Sequence, residues 1–330
     1  VSGFEVLPVT GVGEVGPDAD LARILLDHAE LRDGDVLVVT SKVVAKAEGQ
    51  TVRGEREELL ASETDRVVAR RGPTTIVRTH HGLVMAAAGI DASNTAPGTV
   101  VLLPRDPDGS ARALRDRLAE LGGVWVAVVV SDTSGRAWRH GQTDIAVGAA
   151  GLVVLDDHAG RTDPYGNPLV VTAPALADEL AGAADLATGK TSGSPAAVVR
   201  GLAHLVLPAD DHGAGASALV REEEADLFGY GAREAVLRAL DADPSAARGF
   251  GAPATPEELV AALAAALGHG PVVRREGEGV VVTLPGADPR ALGRLEERSH
   301  VVARAHRWRP ADGTATSGED RVLRFAHLLS

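Results

Sequence analysis

The chain is 330 residues long, 45% hydrophobic but only 3% aromatic, with no cysteine and a formal net charge of −13. Lack of cysteine excludes disulfides, thiolate zinc sites, iron–sulfur clusters and cysteine nucleophiles. The acidic balance argues against a nucleic-acid binder that relies on a broad basic face, while leaving room for a local basic pocket that takes a phosphate-bearing ligand. The length admits one large domain or two smaller ones, with a core built from Ala, Val and Leu. The opening "VSGFEVLPVTGVGEV" lacks a basic segment followed by a long apolar run, and no apolar stretch reaches membrane-span length. A soluble, cytoplasmic protein without a membrane partner is expected.

"FEVLPVTG" reads as a first strand, and "DADLARILLDHAEL" as an amphipathic helix with Asp18 or Asp20 near its N-terminus. "VLVVTSKVVAKAEGQTV" gives a buried strand, a polar interruption, then more strand or a short helix. "REELLASETDRVVARR" reads as helix, and "TTIVRTHHGLVMAAAGIDASN" as a strand pair or a strand and turn. "SARALRDRLAELGG" is a helix with a glycine stop. "VWVAVVV", Val124 to Val130, is unbroken and β-branched, as a strand buried on both faces would be. After it come a strand in "LVVLDD", a turn-rich arm from Gly160 to Pro168, a strand "LVVTAP", an Ala-rich helix, and a strand in "AAVVRGLAHLVL". "REEEADLF" is charged and helical. From about residue 250 the texture changes to a loop and helix, a small hairpin in "PVVRREGEGVVVTLPG", and a helical or mixed "DPRALGRLEERSHVVARAHRW". This places one domain over 1–248 and a small C-terminal α/β extension over 249–330. Alternating elements with some short turns favour a mixed sheet, hence a mixed α+β protein of the α/β class.

Three polar clusters each adjoin an apolar segment. In "TSKVVAKAEG", Ser41, Lys42 and Lys46 could hold phosphate oxygens, or form a solvated edge; a Walker A loop is absent. In "AAAGIDASNT", Asp91 and Asn94 follow a small-residue run and could equally be an Asx turn or helix cap. In "VVVSDTSGRAWRHGQTD", Val128 to Asp144, Asp132 and Thr133 leave a buried strand together. A carboxylate and a hydroxyl are hard oxygen donors suited to Mg²⁺ or Mn²⁺. Arg136 and Arg139 could fork onto a carboxylate or phosphate, and His140 is a ligand, a base or surface.

With those residues in view, the chain resembles the coenzyme F-420-0:L-glutamate ligases, or γ-glutamyl ligases. The resemblance rests on "LPVTGVGEV", "DGDVLVVTSKVVAKAEGQ", "GLVMAAAGIDASN", "SDTSGRAWRHGQTDIAVGAAGL", "GRTDPYGNPLVVT" and "ADELAGAADLATGK", in that order over roughly residues 5 to 245. It implies a mixed-sheet γ-glutamyl ligase fold and a homodimer whose subunits both help build the active sites. It also implies GTP-dependent amide formation between the phospholactyl carboxylate of coenzyme F-420-0 and L-glutamate, through an acyl phosphate, with further γ-linked additions. GDP and phosphate would be the products.

By the same resemblance, Val12, Gly13, Glu14 and Val15 match a nucleotide-contacting loop. Ser41, Lys46 and Asn94 match nucleotide contacts, Asp91 and Asp132 metal-binding aspartates, and Thr133 a ligand of a second metal. Two divalent ions are implied, with K⁺ as a further candidate. Asp91, Asp132 and Arg136 are the expected catalytic residues, and Arg139 and His140 candidate substrate contacts. The "TDPYGN" turn and Asp178-Glu179 are expected to shape the pocket. Some relatives carry a long fused nitroreductase-like domain; the residues after the ligase region are short for one, so no FMN is expected. Two alternatives remain: a nucleotide-driven ligase for a different carboxylate, and a non-catalytic subunit retaining the fold.

Overall fold

The computed structural model describes residues 3–93, 95–189, 192–286, 288–311, 315–317 and 320–328. Two compact units divide the chain, Val1–Val220 and Arg221–Ser330. The first contains strands β1 (Glu5–Val9), β2 (Val36–Thr40), β3 (Thr51–Arg53), β4 (Thr64–Arg71), β5 (Thr74–Thr79), β6 (Val84–Ala86), β7 (Thr99–Val101), β8 (Ala127–Gly135), β9 (Gln142–Ala150) and β10 (Ala196–Arg200). Its helices are α1 (Leu21–His28), α2 (Ser41–Ala47), α3 (Arg56–Leu60), α4 (Pro107–Gly122) and α5 (Leu176–Thr188).

The central sheet runs β1-β10-β2-β8-β9. Only β2 and β8 are parallel; the other neighbours are antiparallel, so the sheet is mixed as the short turns predict. Both faces of its middle strands are buried. Leu37, Val39, Val128 and Val130 pack with α1 and α4 residues on one face, and Val36, Val38, Ala127 and Val129 with α5 residues on the other. That explains the unbroken apolar runs, since alternation disappears when neither face meets water. Asp20, rather than Asp18, caps α1, accepting from Arg23 N at 3.2 Å. Gly123, at φ 63°, supplies the left-handed stop of α4. At Gly148 a β-carbon would meet Pro107 O at 2.2 Å, so glycine lets the first turn of α4 sit on β9.

Some expectations need correction. "TDRVVARR" is strand β4 rather than helix; only Arg56–Leu60 is helical. Its β-branched pair finds a hairpin partner in β5, and this tertiary pairing outweighs the helical charge pattern. β8 does not end at Val130 but runs on through Asp132, Thr133 and Ser134 to Gly135, paired with β9. "LVVTAP" forms no regular strand: Val170 and Val171 are exposed and the arm carries only the isolated bridge Thr162↔Pro168. "REEEADLF" contains a single 3-10 turn, Glu223–Ala225.

The second unit holds α6 (Ala232–Leu240), α7 (Pro256–Leu267), β11 (Val272–Glu276), β12 (Gly279–Leu284), α8 (Pro289–Ala305), β13 (Trp308–Pro310), β14 (Ala315–Ser317) and β15 (Asp320–His327). Its antiparallel sheet β11-β12-β15-β13 packs Val280, Val282, Leu284 and Phe325 against Leu259, Leu263 and Ala303 of α7 and α8. The expected hairpin is β11–β12. α6 and the 3-10 segment Pro244–Phe250 pack with α8 and with each other. Hence the compact division falls after Val220, whereas the change in sequence texture near residue 248 falls inside the second unit.

Candidate active site

The site is built at the C-terminal ends of the parallel pair, where open α/β sheets leave a crevice. Register pairs Thr40 with Ser131, which sets Ser41 at the start of α2 beside Asp132 on β8. Ser41 Oγ donates to Asp132 Oδ1 at 2.9 Å. Ser41 is buried beneath the site and positions the carboxylate. On the neighbouring strand Asp144 stands opposite Thr133 and accepts from Thr133 Oγ1 at 2.8 Å and Ser131 Oγ at 3.0 Å. Burial pushes the Asp132 carboxyl up to about 7, against the pull of Ser41, and the charges of Asp144 and Asp91 add to that rise.

Asp91 comes from a different segment. Its backbone bridges Val101, with Asp91 N to Val101 O at 3.0 Å and Val101 N to Asp91 O at 2.8 Å. Before it, Ala87 and Ala88 take φ of 51° and 54°, left-handed values that L side chains rarely adopt. Lys42 Nζ meets Asp91 Oδ2 at 2.5 Å and donates to Ser93 Oγ at 2.8 Å. Burial raises the Asp91 carboxyl, but Lys42 and Ser93 outweigh it and hold the group below its ordinary value.

A cleft of about 720 Å³ opens beside these groups. The loop Val12–Val15 forms one wall, and Thr40, Lys42, Val43 and Lys46 from β2–α2 form the floor. Lys46 Nζ meets Glu14 Oε1 at 2.5 Å, joining floor to wall. Thr133 and Asp144 close the β8–β9 side. The opposite side is the end of α5 and the segment after it, with Asp185, Thr188, Gly189 and Ser194. Sequence reasoning assigned no role to these last four or to Asp144. The available signals were the glycine- and hydroxyl-rich "TGKTSGSP" after an Ala-rich helix and the acid in the β9 alternation.

A direct comparison with known proteins places the chain in a family. The family model F420-0:Gamma-glutamyl ligase matches residues 11–57 and 54–201. The chain belongs to this family. It is 42% identical over 221 residues to the Coenzyme F420:L-glutamate ligase of Methanopyrus kandleri, an alignment covering 60% of this chain and 87% of that relative. It is 38% identical over 257 residues to the Haloarcula marismortui protein of the same name, covering 70% of this chain and 98% of that one. The protein of that name from Methanothermobacter thermautotrophicus is 35% identical over 252 residues, covering 68% of this chain and 99% of the relative. The family match ends at residue 201, before the second unit begins.

The expected family residues are distributed unevenly. Val12, Gly13, Glu14, Val15, Lys46 and Thr133 line the cleft, and Asp91 and Asp132 stand close enough for their charges to interact. Arg136, Arg139 and His140 are exposed at the tip of the β8–β9 hairpin and are not in the cleft wall. Asn94 lies outside the described residues. Asp178 accepts from Ala146 N at 2.9 Å, tying α5 to β9, and is not among the described residues that line the cleft. Burial raises its carboxyl.

Asp132, Asp144 and Thr133 carry hard oxygen donors of the kind a divalent cation takes, and the charges of Asp144 and Asp91 near Asp132 are what such an ion would relieve. Among the described residues, no group of three or more His, Cys, Asp or Glu side chains is placed to hold a metal ion. Mg²⁺ commonly takes one or two carboxylates and completes its shell with water and substrate phosphates. No helix among the described residues is long and apolar enough to cross a membrane.

Proposed function

We propose that the chain ligates L-glutamate to the phospholactyl carboxylate of coenzyme F-420-0, with GTP as the energy source, and adds γ-linked glutamate in further rounds. The observation that carries this reading is the meeting, in one cleft, of the Val12–Val15 loop and Lys46 with Thr133 and Asp144 beside Asp132. Backbone amides and a lysine suit phosphates; clustered oxygens suit the cation that accompanies them.

In this reading Lys46 and Val12–Val15 hold the nucleotide phosphates, while Ser41 keeps Asp132 oriented. Asp91, Asp132 and Thr133, with Asp144 added, would hold Mg²⁺ or Mn²⁺, which supplies charge neutralisation for phosphoryl transfer. An acceptor carboxylate oxygen attacks the γ-phosphorus, the bond to the β–γ bridging oxygen breaks, and GDP leaves. The glutamate amine then attacks the acyl carbon, phosphate departs with the C–O electrons, and the amine loses a proton to solvent. A carboxylate alone is a poor electrophile, so the protein's contribution is positioning and electrostatic stabilisation of that sequence. Arg136 would meet developing phosphate charge, and Arg139 and His140 the carboxylates of glutamate, from the hairpin tip.

A homodimer belongs to the proposal. Tyr165 in the arm and Val171 just after it are 91% and 90% exposed, an apolar surface suited to a second subunit. The chemical course is tested with ¹⁸O in the acceptor carboxylate. Activation through an acyl phosphate transfers one label into released phosphate; unlabelled phosphate accompanying full product formation refutes it.

A further inference from the structure

The second unit holds a cavity of about 670 Å³ whose wall includes Arg248, Arg307 and Arg309, the hydroxyl-bearing Ser245, and Glu224, the one acidic residue among the described lining. Arg307 is 4% exposed. Its Nη1 donates to Gly251 O at 3.2 Å and lies 3.3 Å from Glu224 Oε2, and its Nε has no hydrogen-bond partner among the described residues. Glu224 also faces Arg248 Nε, at 3.6 Å. Arg307 adopts φ 59°, a left-handed backbone that glycine carries without strain and arginine does not.

A buried arginine with a purely structural task fills its donors, and this chain shows what that looks like. Arg115, fully buried, places Nε, Nη1 and Nη2 on the carbonyl oxygens of Val126, Asp211, Leu207 and Pro208. Arg307 has an unused buried donor, Arg248 and Arg307 share the Glu224 carboxylate, and Arg309 lines the same cavity. A buried donor left unused is costly, and one half-exposed carboxylate shared by two arginines leaves room for an added anion on this wall.

We propose that this cavity is an anion site for the phosphate group of a small molecule, with Glu224 as the group the phosphate displaces from the arginines. A tetrahedral phosphate accepts from several directions at once, as guanidiniums on separate elements require: Arg248 on the 3-10 segment Pro244–Phe250, Arg307 after α8, and Arg309 on β13. The cavity exceeds a phosphate ion and leaves room for the rest of a small ligand. The site lies wholly in the second unit, so it stands or fails independently of the ligase reading.

The test is calorimetric titration of the full chain with inorganic phosphate, in chloride buffer without metal or nucleotide, with citrate as the carboxylate arm. The expected result is saturable phosphate binding that Arg248→Ala and Arg309→Ala each weaken about tenfold, the scale of one charge-assisted hydrogen bond. Lys46→Ala in the ligase cleft leaves this binding intact, and Glu224→Gln tightens it by removing the competitor. Both arginines chosen are exposed, so their replacement spares the fold; unchanged circular dichroism confirms it. The proposal is overturned by absence of binding, by binding that follows Lys46 instead of the arginines, by citrate binding without phosphate binding, or by Glu224→Gln failing to tighten it.

Discussion

Replacing Arg115 with methionine keeps an apolar stem of similar length and removes the guanidinium that stitches α4 to the entry of β8 and to the 207–212 segment. Four carbonyl oxygens lose a donor: Val126 at 3.0 Å, Asp211 at 2.7 Å, Leu207 at 3.0 Å and Pro208 at 2.8 Å. Hydrogen bonds to a charged donor contribute about 1.5–3 kcal/mol each, so a simple sum reaches about 6–12 kcal/mol. That sum overstates the loss. Pro208 and Asp211 are exposed residues and Leu207 is part-exposed, so their carbonyls recover water; only Val126 is fully buried. Removing a desolvated charge offsets a further part. The expected loss is about 3–5 kcal/mol. At about 2–4 °C per kcal/mol for a unit of this size, the apparent melting midpoint falls by about 10 °C. Urea denaturation followed by circular dichroism, with thermal melts beside it, measures both. A loss below about 1 kcal/mol refutes the reasoning, because it means that the loop carbonyls and Val126 find other partners at no cost.

Four other outcomes are expected. Lys46→Ala weakens GTP binding about 10- to 100-fold in calorimetric titration, the range of one charge-assisted contact to phosphate, and unchanged affinity contradicts its placement. Asp132→Asn cuts turnover sharply while leaving the circular dichroism spectrum unchanged; near-normal turnover at limiting metal contradicts the metal assignment. Asp144→Asn keeps groups able to bond Thr133 and Ser131 but removes a charge, so Mn²⁺ binding followed by electron paramagnetic resonance weakens by about tenfold or more. The Asp178 carboxyl is raised by burial, so the stability it contributes is present below about pH 4 and is lost as pH rises through its raised folded value. Stability of the wild type relative to Asp178→Asn therefore declines with rising pH in paired denaturation curves, and a difference that grows with pH contradicts the sign.

The buried strands were legible because a sheet covered on both faces removes alternation, leaving runs such as "VLVVT" and "AVVV" that only a central strand explains. Capped helices were legible for a local reason: Asp20 and Gly123 act through hydrogen bonding and φ within a few residues. β4 was not legible, since its identity comes from pairing with β5 while its charges suit a helix equally well. Of the site, Asp91, Asp132 and Thr133 stood out as polar groups beside apolar segments, but nothing local brings the two aspartates near each other; that follows from the parallel β2–β8 register and the Asp91–Val101 bridge. Asp144 was hidden for a related reason. Its place opposite Thr133 depends on hairpin register, and β8 was expected to stop before Ser131. The far wall, with Asp185, Thr188, Gly189 and Ser194, follows well after the end of β9 at Ala150 and reaches the cleft only because β10 inserts between β1 and β2.

The most direct test of the central claim is mass spectrometry of coenzyme F-420-0 incubated with the purified chain, L-glutamate, GTP and Mg²⁺ or Mn²⁺. The account predicts product heavier by one or more glutamyl units, absent when GTP, metal or glutamate is withheld. Unchanged precursor mass, with an active family member converting the same mixture, contradicts it and moves the cleft to a different acceptor or to binding alone.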